Sequence, residues 1–155
     1  MVLHAASGLP EDVEFARFLG EIQPLTDRVT ALAPPALGSS LRRDDELAAP
    51  YKPSHSIRRT LAAAVEHLDA LRSLLLHAGV QHPTAPFTLV RASIETASTS
   101  LWLLTGRRAE RVERTLRLAM KDLTDQGWAE GSMGLTPTRP LDDQFQGVPV
   151  RRGAR

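Results

Sequence analysis

Apolar residues recur along four stretches of this chain at alternating steps of three and four, the spacing that lays side chains along one side of a helix. The first runs Phe15, Phe18, Ile22, Leu25, Val29, Leu32, behind a helix-opening Pro10 with acidic residues in the first turn. Pro24 lies inside it and lacks the N–H owed to Gly20, which predicts a kink or two abutting helices; Pro34 and Pro35 end it. Residues 36–53 break the rhythm and read as a linker, with Ser40 placed to cap a short helix from Leu41 to Ala48. The second long stretch, Ile57, Leu61, Ala64, Leu68, Leu71, Leu75, Ala78, opens after a capping Ser54 or Ser56 and stops at Gly79. Thr84 caps the third and Gly106 breaks it; in the last, Ala109, Val112, Leu116, Ala119 and Leu123 form the apolar line.

The third stretch, Phe87 to Leu104, organises the expectation. Phe87, Val90, Ile94, Ala97, Leu101 and Leu104 make one stripe, and Leu89, Ala92, Thr96, Thr99 and Leu103 a second beside it. Only Arg91 and Glu95 are charged, so this helix is predicted to be wrapped on most sides, with that pair held inside. The fold expected is all-α: an antiparallel four-helix bundle with a kinked first helix, occupying residues 1–126. From Gly127 onward, five glycines and three prolines replace any periodicity, so 127–155 reads as a mostly disordered tail that Trp128 and Phe145 pin locally.

Composition narrows the chemistry. With a net charge of +1 no whole-molecule field points toward nucleic acid or an anionic membrane, and the absence of cysteine removes disulfides, thiolate metal sites and thiol catalysis. The first residues carry neither a basic leader nor an apolar run of signal length, and six hydroxyls in the third stretch favour burial in protein over lipid. A cytoplasmic protein with no membrane role is expected. Of its 19 basic residues 17 are arginine, the usage of a GC-rich, actinobacterial type of genome, so arginine abundance says little about recognition.

Three constellations offer chemistry. Arg91 and Glu95 share a line with Trp102 and read either as an internal polar network fixing register or as a binding pair flooring a small-ligand pocket. Arg107, Arg111, Arg114, Arg117 and Lys121 lie on one side of the last helix, a basic face that would track a phosphate backbone or simply meet solvent. Arg72 and His77 resemble the Arg-x4-6-His pattern of helical HEPN-type ribonucleases, in which the histidine acts as acid or base and the arginine steadies phosphate charge. Two helices follow it here, where that family places it toward the last. No HExxH, paired Glu-x-x-His, Gly-rich phosphate loop or GxSxG is present, so no metal and no cofactor is expected.

Leu89, Arg91 and Glu95 spaced Leu-x-Arg-x3-Glu, then Trp102-Leu103-Leu104, then the helix holding Arg111, Arg114 and Arg117, resemble a group of uncharacterised helical proteins of actinobacteria. That resemblance covers about a quarter of the chain and implies no activity for any residue. The expectation is therefore a non-enzymatic module that associates with itself or another protein, with a HEPN-like RNA-directed protein and a ligand-binding bundle as alternatives.

Overall fold

The computed structural model describes residues 10–76 and 83–135, all-helical among the described residues: α1 Pro10–Thr30, α2 Ser40–Leu47, α3 Pro53–Leu76, α4 Ala85–Leu104 and α5 Arg108–Ser132. The chain divides into two compact units, Met1–Pro34 with Ile57–Trp102 and Pro35–Ser56 with Leu103–Arg155.

In the first unit α3 buries the face its periodicity predicts. Ile57, Ala64 and Leu71 are buried, joined by Val65, while α1 contributes Leu19 and Ile22. α1 runs unbroken through Pro24, so two abutting helices do not form; the proline removes one donor without ending the helix. Much of the predicted α1 stripe is turned outward, with Phe15, Phe18 and Leu25 exposed and the two phenyl rings stacked 6.5 Å apart.

α4 reverses the expectation. The six-residue stripe from Phe87 to Leu104 was predicted inside, yet Phe87, Val90, Ile94, Leu101 and Leu104 are exposed, and within this unit the buried α4 positions are Ser93 and Ser100. The reason is steric. Helices approach most closely where the side chains between them are small, and here hydroxyls sit at the contact: Thr60 and Ser100 share a 2.5 Å hydrogen bond, and Ser100 Oγ lies 3.4 Å from the Ile57 carbonyl it donates to. Burial of these hydroxyls is tolerable because each also has a carbonyl of its own helix within reach, Thr60 at Ile57 and Ser100 at Thr96.

In the second unit α2 packs on α5. Ala48, Leu103 and Thr115 are buried, and with them the carboxylates of Asp44 and Asp45. The cap of α2 is Ser39, not Ser40: its hydroxyl accepts the Arg42 N–H at 3.2 Å. Nor does a local serine cap α3, which opens on Pro53. Asp45 reaches over from α2 and accepts the Ser54 N–H at 2.9 Å and its hydroxyl at 2.7 Å, placing a carboxylate at the positive end of the helix. Gly106 ends α4 as expected, at φ +92°, where an added Cβ would collide with the Glu110 carboxylate. α5 then continues through Gly127 and Trp128 to Ser132, past the predicted end. One internal glycine weakens a helix by only about 1 kcal/mol, and Gln126 donates to Glu130 across it at 2.7 Å. The remainder of the predicted tail, 136–155, lies outside the described residues, as does Gly79.

Candidate functional site

The outward face of α4 and the adjacent part of α1 form the most distinctive surface of the first unit. Phe15, Phe87, Val90 and Ile94 line a cavity of ≈ 580 Å³ with Leu71, Leu75 and Pro86, and Arg91 and Glu95 complete the lining. Its walls are almost wholly apolar. Along α4 the exposure is concentrated at three residues seven apart: Phe87 at 76 %, Ile94 at 61 % and Leu101 at 63 %. A seven-residue step keeps side chains on one narrow line of a helix.

Arg91 and Glu95, expected inside, are on the surface, 81 % and 60 % exposed, with Arg91 Nε donating to Glu95 Oε1 at 2.7 Å. The hydrogen bond to Glu95, and then its charge, raises the Arg91 guanidinium above its ordinary value. Being solvated, the pair does not act as an internal register lock. It edges the groove and leaves that edge electrically neutral. Trp102, expected to join them, is not among the residues lining the cavity.

The second unit holds the buried charge instead. Asp44 is completely enclosed and receives Arg111 twice on one oxygen, from Nε at 2.8 Å and Nη2 at 2.6 Å, while Arg108 Nε stands 3.3 Å from the other. Arg111 spends two further donors on the Gly106 carbonyl at 2.9 Å and the Ser40 hydroxyl at 2.8 Å. This is a closed arrangement in which one arginine ties α2, α5 and the turn after α4 together. Sequence reading missed it because Asp44 sits in a charged cluster that looks like solvated linker, and its partner lies 67 residues away.

No known protein family, curated protein or solved structure matches this chain. Its own geometry is therefore what speaks for it.

That geometry dismantles the predicted basic face. Arg111 is withdrawn to Asp44. Arg114 donates to the Thr105 carbonyl at 2.7 Å and lies 3.8 Å from Glu110; Arg117 pairs with Glu113 at 2.6 Å; Lys121 pairs with Asp125. Arg107 is exposed at the head of α5, where its N–H goes to Glu110 at 3.1 Å. Hydrogen bonding to Asp125, followed by that carboxylate's charge, raises the Lys121 ammonium above 10.5. Arg72 faces Asp69 at 3.7 Å, and His77 lies outside the described residues. No group of His, Cys, Asp or Glu among the described residues is arranged to hold a metal, and no described helix is long and apolar enough to cross a membrane.

Proposed function

We propose that this chain is a non-enzymatic helical interaction module that associates with a protein surface, its own or another's, through the outward face of α4 and the Phe15–Phe18 segment of α1. The single observation that carries the reading is the line Phe87, Ile94, Leu101 left uncovered beside an apolar groove. Contiguous apolar patches of this kind, edged by a polar pair, mark association sites more often than free surface. An antiparallel bundle fits the same picture, since Ser100, late in α4, meets Ile57 and Thr60, early in α3, while Leu71 and Leu75, late in α3, share the groove with Pro86 and Phe87, early in α4. The resemblance to uncharacterised actinobacterial helical proteins belongs to this reading and adds no activity to it.

Methyl-resolved NMR over a dilution series tests the proposal. The signals of Val90, Ile94 and Leu101 are expected to shift with concentration, or on addition of a partner, while that of buried Leu103 stays fixed. Uniform insensitivity of the three exposed positions would count against it. The groove's size also favours a second reading, in which a small apolar molecule binds there, since such pockets commonly span roughly 300 to 1,000 Å³. In that case Val90 and Ile94 respond to an apolar ligand and Leu101 does not. The HEPN-like alternative draws no support from Arg72, whose near neighbour is an acid on its own helix.

A further inference from the structure

Four features of the described residues invite a further role: the closed Asp44 cluster, the paired row on α5, the Arg91–Glu95 couple and the α4 line. The first is taken up by ion pairs within the chain, and in the second Arg114, Arg117 and Lys121 stand beside acids of their own helix. The last two point the same way.

We infer that the occupant of the groove face is a second copy of this chain, its α4 running antiparallel to the first about a two-fold axis at Ile94. This inference rests on the interaction reading above and narrows it to one partner and one register. The argument begins with spacing. Phe87 and Leu101 lie seven residues before and seven after Ile94, so the line is its own mirror in sequence. Inverting the helix about that centre sets Ile94 on Ile94 and each Phe87 on the other copy's Leu101, covering at once the three most exposed apolar residues of α4 that line up.

Charge then selects the direction. Arg91 lies three residues before the axis and Glu95 one after it, on the same flank of the helix. At about 1.5 Å rise per residue, an antiparallel mate brings its Glu95 within about 3 Å, along the axis, of Arg91. The two Glu95 side chains also come within about 3 Å along the axis, while the two Arg91 stay about 9 Å apart, so two attractive contacts stand against one close repulsive one. A parallel mate would instead carry its Arg91–Glu95 couple to the opposite flank of the seam, where no ion pair forms between the copies. The face is thus complementary to itself in one orientation.

The absence of cysteine makes the test clean. Facing positions of two helices whose axes are about 8 to 10 Å apart have Cα atoms roughly 4 to 5 Å apart, within disulfide reach. Under mild oxidation the full-length Ile94→Cys variant should link to itself. Phe87→Cys and Leu101→Cys should each fail to link alone and should link to one another when mixed, a pair that leaves Ile94 in place should its substitution weaken the contact. Self-linkage of Phe87→Cys and of Leu101→Cys would overturn the inference in favour of a parallel pair. A dimeric mass by light scattering with none of these links would overturn the register while sparing self-association. A monomeric mass at every concentration would remove the second copy altogether and leave the interaction reading to a different protein.

Discussion

Asp44 shows how much one side chain can hold here. It is fully buried, its partner Arg111 spends donors on Asp44, Ser40 and the Gly106 carbonyl, and Arg108 stands 3.3 Å from its other oxygen. Removing Arg111 strands a carboxylate out of water, so Arg111→Ala should destabilise the chain by about 3 to 5 kcal/mol, read as a loss in chemical denaturation. Arg91→Ala removes an ion pair of nearly the same length, yet that pair is solvated on both sides, and no resolvable change in the melting temperature of the dilute protein is expected. Equal losses for the two variants would contradict this assignment of buried and exposed charge. Lys121 sets a pH expectation with a definite sign. Its folded-state value is raised, so the Asp125 pair contributes fully below the ordinary lysine value of 10.5 and is lost only as pH climbs through the higher folded value. Between neutral pH and pH 9 a Lys121→Met variant should therefore differ from the wild type by a constant offset in melting temperature; an offset that varies across that range would count against the pairing.

At the level of the helix, α4 inverts the usual relation between hydrophobicity and burial. Ser93 and Ser100 are buried, Ser100 at a close contact with α3, while Phe87, Ile94 and Leu101 are exposed. Replacing Ser100 with leucine should therefore overfill the contact with Thr60 and Ile57 and destabilise by about 1 to 3 kcal/mol, whereas Leu101→Ser should leave thermal unfolding of the dilute protein almost unchanged. Circular dichroism melts of the two variants would distinguish them, and the opposite ranking would contradict the placement of α4. The helices themselves were legible: the 3,4 rhythm located all four long ones, Pro10 marked the start of α1 and Gly106 the end of α4. Which face of α4 turned inward was not, because periodicity weighs apolar bulk while close approach selects smallness, and Ser93 and Ser100 lie off the apolar stripes. The caps escaped for a different reason. Ser39 differs from the expected residue by one position, and Asp45 caps α3 from nine residues away.

For the molecule as a whole, the consequence of an outward-facing α4 is unfinished burial. Phe15, Phe18, Phe87, Ile94 and Leu101 expose apolar area that a second copy would cover, with the neutral Arg91–Glu95 edge offering no net repulsion to it. The candidate site was legible as residues and not as a place: Arg91 and Glu95 were singled out for being the only charges on their helix, and they do edge a groove, on the surface rather than within a core. The measurement that bears most directly on this account is the mass of the full-length chain in solution by light scattering across a concentration series, run beside Ile94→Asp. A dimeric mass for the wild type is expected, with the aspartate, doubled at the axis, weakening association at least tenfold while the helical spectrum is retained. A wild-type mass of one chain throughout, or a dimer indifferent to that substitution, would contradict it.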